Sequence, residues 1–150
     1  MRPKIVFECA RVDPNVPYED SISYIANYAK AGKIDGITIS EIGSKSIKKA
    51  ASTFPISFTE VELSLMCQDL ISNGVLKTAS ELGIPIIAYF PLCGGYLTDS
   101  ATQMGTNFLK DEHKGDVRNH LVKLLKENIP QNMKLFKKLY EFSRCKENFS

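Results

Sequence analysis

Tryptophan is missing from this 150-residue chain, histidine occurs twice and cysteine four times. Cys9, Cys67, Cys93 and Cys145 are far apart and include no Cys-x-x-Cys pair, which speaks against a zinc ribbon or a redox dithiol. They read as reduced thiols of a cytoplasmic protein. His113 and His120 sit in a polar stretch with Asp111 and Glu112, but adjacent side chains point in different directions, so no metal site is expected. Long apolar runs are also absent. None approaches the ~20 residues needed to cross a bilayer, and the polar N-terminus lacks a signal-peptide core. The net charge is only +2, with Lys and Arg scattered, which leaves no basic stripe for nucleic acid.

What is present is the profile of a soluble globular protein, 43% apolar and 24% charged, at the length of one domain. The pattern alternates strands and helices. "IVFEC" (5–9), "GITIS" (36–40), "ISFTEVEL" (56–63) and "IPIIAYF" (84–90) read as strands, the last as a buried one. Between them, 18–31 places Ile22, Ile25, Ala26 and Ala29 at helical spacing and ends at Gly32. Ser44 is the expected cap of a second helix through Ile47, Ala50 and Ala51. A third helix is expected from Asn73 to Leu82, stopped by Gly83. Residues 98–128 form an irregular, lid-like excursion. A final helix spans 129–146, with Met133, Phe136, Leu139 and Tyr140 on one face.

Alternation of this kind requires parallel strands joined by crossovers. The expectation is an α/β domain of about four parallel strands, either a small open sheet or part of a (β/α)8 barrel, and the pattern alone does not choose. In both, chemistry gathers at the carboxyl ends of the strands. Those ends read Ala10-Arg11-Val12-Asp13, Ser40-Glu41, Glu60 with Glu62, and Tyr89 followed by Pro91, Leu92, Gly94 and Gly95.

"FECARVDPNVP", "KAGKIDGITISEI", "VELSL" and "ELGIPIIAYFPLCGGYLTD" resemble the second half of the aldo/keto reductases, NADPH-dependent carbonyl reductases built on a TIM barrel, in a branch similar to fungal pyridoxal reductases. The family motif Y-S-P-L-G-x-G-x-L-T matches "YFPLCGGYLT" except at Phe90 and Cys93. The resemblance implies that Tyr89 stacks on the nicotinamide and that the loop of Pro91, Leu92, Gly94 and Gly95 meets the cofactor diphosphate. It assigns Ser40, Glu41 and Glu60 to the nicotinamide carboxamide, where the family commonly has amides at the last two. A carboxylate can only accept hydrogen bonds there.

The same resemblance implies what is lacking. The family's catalytic Asp, Tyr and Lys would lie ahead of Met1, and Ala10 stands where its histidine falls. The last barrel strand, which holds the adenosine 2′-phosphate, is also missing. Tyr18 and Lys33 bracket the first helix and are not expected to converge as substitutes. The chain is thus expected to be a truncated partial barrel, residues 1–150 forming a single unit. It would act on a small aldehyde or carbonyl such as pyridoxal, or persist as a non-catalytic interaction module. An unrelated α/β domain that takes a phosphorylated ligand on its Gly-Gly loop is the third reading. Open sheet edges predict self-association.

Overall fold

The segment Gly36–Ser40 combines β-branched Ile37, Thr38 and Ile39, and all of its residues are buried, which marks it as an inner strand. In a computed structural model of the chain it is β2. The structure describes residues 4–104, 115–116, 118, 121, 125 and 127–147. The chain divides after Pro91 into two units.

In the first unit β1 (Val6–Ala10), β2, β3 (Ile56–Glu62) and β4 (Ile86–Tyr89) form a four-stranded sheet in chain order. Every pairing is parallel. Between the strands run α1 (Tyr18–Lys30), α2 (Ser44–Thr53), a single turn α3 (Asp69–Ser72) and α4 (Val75–Glu81). Ile37 and Ile39 point under these helices, into a core with Ile22, Ala26, Ile47, Ala50, Leu70, Val75 and Ala79. Small residues at Ala26, Ala50 and Ala79 let helices approach the sheet, and each buried isoleucine contributes about 1.5–3 kcal/mol. Lys49 of α2 meets Glu19 of α1 at 2.8 Å.

Glycine stops act as anticipated: Gly32 (φ +68°) ends α1 and Gly83 (φ +64°) follows α4. The cap of α2 differs. Gly43 occupies the N-cap, Ser44 is already helical, and no side chain caps the first turn. The third helix is also shorter than Asn73–Leu82. It begins at Val75, whose N–H is taken by Asn73 Oδ1 at 3.0 Å, and Gly74 before it is left-handed. Ser57 is the extra residue of a bulge, since Ile37 and Thr38 pair with Ile56 and Phe58. A Cβ at Gly36 would run into Ser57 Oγ, so the close approach of β2 to the bulge needs glycine.

β4 departs from the buried strand its sequence suggests. Ile87 and Ala88 are exposed, because β4 lies at the sheet edge and the helices cover only one face. β1 is the other edge, with Val6 and Phe7 exposed.

In the second unit a 3-10 turn (Cys93–Gly95) leads to α5 (Asp99–Met104), and α6 spans Ile129–Glu147. Asp99–Met104 is therefore helical within the stretch read as irregular. Much of the rest of 98–128, including His113, His120, Asp111 and Glu112, lies outside the described residues. The core here contains Cys93, Tyr96, Ala101, Ile129 and Phe136. The rings of Tyr96 and Phe136 stack at 5.2 Å. Met133, Leu139 and Tyr140 are half-buried on the same helix.

Candidate functional site

Registered partners in a parallel sheet project to the same face. With Ile37 and Ile39 under the helices, the opposite face carries Glu8, Thr38 and Phe58 in one row and Ala10, Ser40, Glu60 and Ile87 in the next. Glu62 and Tyr89 follow, one step nearer the strand ends. Ser40, Glu60 and Tyr89 thus fall at one end of one face, and Glu41 directly follows β2. Ser40 is buried and registered with Glu60, and its carbonyl accepts the Arg11 N–H at 2.8 Å.

The chain turns sharply at this end. Arg11 (φ +59°), Glu41 (φ +55°) and Phe90 (φ +59°) are left-handed, and each directly follows the last residue of a strand. Such backbone is strained for residues with a Cβ, by roughly 1–3 kcal/mol each, and tends to gather where ligands bind. The turn at Glu41 sends its carboxylate across the strand end, where Oε1 accepts the Glu62 N–H at 3.3 Å.

The same carboxylate acts on Tyr89. Burial first, then hydrogen bonding to Glu41 and the charges of Glu41 and Glu62, push the phenol well above its usual range, with Arg11 pulling the other way. Tyr89 is therefore a neutral donor at physiological pH, its ring half-buried. Two rows below Tyr89, burial and then the Glu60 carboxylate raise Glu8 above the usual carboxylate range. Glu8 is a member of this constellation that sequence reading missed. The signal lay in the sheet register, which sets two like charges on one face with β2 between them.

Tyr18 and Lys33, not expected to converge here, make other contacts. Tyr18 is buried and donates its hydroxyl to the Cys9 carbonyl at 2.8 Å, while Lys33 sits over the Tyr28 ring. Ala10 is exposed at the end of β1. Among the described residues no group of three His, Cys, Asp or Glu side chains could hold a metal ion. No described helix is long and apolar enough to cross a membrane.

In the second unit, Gly94 (φ +68°) and Gly95 (φ +92°) make the bend expected of the glycine pair, and Cys93 before them is also left-handed at φ +50°. The Gly95 and Leu97 N–H groups both return to the Leu92 carbonyl, at 3.0 and 3.2 Å. Arg118 Nη1 donates to the Gly94 carbonyl at 3.0 Å, and the Arg118 fork grips Asp116 at 2.7 and 3.0 Å. This Asp-x-Arg pair was not singled out from the sequence, although its spacing suits a local fork. Leu92 is exposed.

The aldo/keto reductase family model matches residues 5–148. A Schizosaccharomyces pombe protein named as a probable pyridoxal reductase is 43% identical over 93 residues, 62% of this chain and 28% of that one. A Saccharomyces cerevisiae protein with a provisional pyridoxal reductase name is 35% identical over 145 residues, 91% of this chain and 40% of that one. The chain therefore spans less than half the length of the curated relatives it matches. Among solved structures, the glycerol dehydrogenase AKR11B4 of Gluconobacter oxydans superposes with a TM-score of 0.68 at 21% identity, over 93% of this chain and 42% of that one. The thermostable aldo-keto reductase Tm1743 gives 0.59 at 22% identity, over 71% and 40%. These structural likenesses speak for the fold, the four parallel strands being part of an aldo-keto reductase barrel. With the family model covering nearly its whole length, the chain belongs to the aldo/keto reductase family.

Proposed function

We propose that this chain carries the nicotinamide and diphosphate half of an NADPH site in a cytoplasmic carbonyl reductase, with pyridoxal or a similar small aldehyde as substrate. The observation that carries this reading is Tyr89. Its half-buried, neutral ring ends β4 on the sheet face opposite Ile37 and Ile39, beside Glu62 and within reach of Glu41. A flat aromatic surface there suits a nicotinamide ring.

The residues present fit the cofactor in part. Gly94 and Gly95 leave the bend bare of side chains, and the Gly95 and Leu97 amides are already used within it, so a diphosphate would meet the amides ahead of them, at Leu92 and Gly94. Ser40 can donate to a carboxamide, whereas Glu41 and Glu60 can hold its NH2 but not its carbonyl. NADPH would supply hydride for a carbonyl carbon. The protein's own part is binding and orientation, since Ala10 offers no proton. Titrating the chain with NADPH and following cofactor emission tests the site, and pyridoxal-dependent loss of the reduced-nicotinamide absorbance tests turnover. Binding with turnover far below that of a full-length relative is expected. No binding would remove the reading.

A second reading is a non-catalytic module that retains part of the barrel. It is favoured by Ala10 at the histidine position and by the carboxylates at Glu41 and Glu60. Both readings share one expectation. Val6 and Phe7 on β1, Ile5 just before it and Ile87 on β4 expose apolar surface at the edge strands, so the isolated chain should self-associate as its concentration rises.

A further inference from the structure

We infer that Arg118 is a positioning residue for the Gly94–Gly95 bend, fixing the backbone that the proposed dinucleotide site presents to phosphate. The inference rests on that reading of the site and adds to it a residue from a distant part of the chain.

The argument starts from the planarity of the peptide bond. The carbonyl of one residue and the N–H of the next lie on opposite edges of a single rigid plate. In the plate joining Gly94 to Gly95, the carbonyl edge accepts Arg118 Nη1 at 3.0 Å and the N–H edge donates to Leu92 O at 3.0 Å. In the next plate the Gly95 carbonyl accepts the Thr98 hydroxyl at 2.6 Å, and the Tyr96 N–H donates to Cys93 O at 3.4 Å. Two successive plates are therefore held at both edges.

Two adjacent glycines would otherwise be the least restricted stretch of the chain, because each lacks the Cβ that narrows φ and ψ. Their bareness admits a ligand, but their freedom would have to be lost on binding. A bend held beforehand avoids that loss. Three of the four pins come from within residues 92–98. Arg118 alone reaches in from 24 positions away.

Its own geometry suits bracing better than contact with an anion. Nε and Nη2 are engaged by Asp116 Oδ1 and Oδ2, at 3.0 and 2.7 Å, and the Arg118 N–H also reaches Oδ1 at 2.9 Å. The guanidinium hydrogen bond, followed by the backbone one, holds Asp116 down at about 2. Both partners are therefore charged across the physiological range and largely neutralise one another. Nη1, on the arm of the guanidinium that these Asp116 bonds leave, donates to Gly94 O.

The test uses the whole chain with Arg118→Ala, Arg118→Gln and Arg118→Lys. The first readout is amide hydrogen exchange at Gly95 and Leu97. The second is affinity for NADPH and for reduced nicotinamide mononucleotide, which lacks the diphosphate. R118A should speed exchange at those amides by about tenfold or more. It should weaken NADPH by about fivefold or more and leave the mononucleotide unchanged. R118Q keeps most of the bulk without the fork and should show the same losses, so it carries the test where the smaller variant folds poorly. R118K retains a donor for Gly94 O and should recover part of the NADPH affinity. Unchanged exchange in R118A and R118Q would overturn the brace. Faster exchange with unchanged NADPH affinity would overturn the positioning role. A wild-type chain that binds no NADPH would instead remove the dinucleotide reading itself, and the positioning role with it.

Discussion

Tyr18 donates its hydroxyl to the carbonyl of Cys9 at 2.8 Å, so the first residue of α1 secures the penultimate residue of β1. Burial, followed by the neighbouring Cys9 side chain, pushes the phenol far above its usual range, so it remains a neutral donor. Tyr18→Phe keeps the ring and leaves the Cys9 carbonyl without this donor. The expected loss is about 1–2 kcal/mol, read from the urea midpoint at constant m-value. An unchanged midpoint would mean that water takes the place of the hydroxyl.

Glu8, set on one face with the Glu60 carboxylate, should oppose folding at neutral pH. A carboxyl whose folded pKa is raised contributes stability that is fully present below its unfolded value and lost as pH rises through the folded value. Glu8→Gln removes the repulsion and should raise Tm at pH 7, while wild type and variant converge toward pH 4. Glu8 is exposed, so screening keeps the gain below about 1 kcal/mol. A variant that melts lower at pH 7 would contradict the assignment.

Tyr89 carries the cofactor proposal. Removing its ring by Tyr89→Ala should weaken NADPH about three- to tenfold, the scale of one aromatic contact. Tyr89→Phe retains the face and should bind nearly as wild type. If both variants lose affinity equally, the hydroxyl matters more than the ring and the stacking role fails.

Gly32 gives a purely conformational test. It is left-handed at φ +68°, and an added Cβ would meet nothing within 4 Å. Gly32→Ala should therefore cost about 1 kcal/mol through backbone strain alone. Gly32→Asn should cost less, since asparagine tolerates this region. Equal losses would point to a contact that the glycine geometry does not reveal.

The strands were legible because Ile, Thr and Val cluster in short runs between glycine and proline, and the stops at Gly32 and Gly83 were legible from glycine's backbone freedom. The cap at Gly43 was not, since Ser44 is the more obvious capping residue and only the backbone angles show that it is already helical. Exposure of Ile87 could not be read either. An apolar strand looks the same whether its second face is covered or open. The site divides along the same line. Single residues at strand ends, such as Ser40, Glu41, Glu60 and Tyr89, follow from local pattern and resemblance. Relations between strands do not: Glu8 with Glu60 depends on register, Glu41 with Tyr89 on a left-handed turn, and Arg118 with Gly94 on a return of the chain across 24 positions.

The open margin of β1 gives Glu8 a further consequence. A bare strand margin bearing Val6 and Phe7 is a template for stacking with other chains, and an ionised side chain within it is a common natural deterrent to fibril growth. The charge that weakens the folded chain would then keep it dispersed. The glutamine variant should melt higher yet cloud sooner on heating, which would set solubility and thermodynamic stability against each other at a single codon.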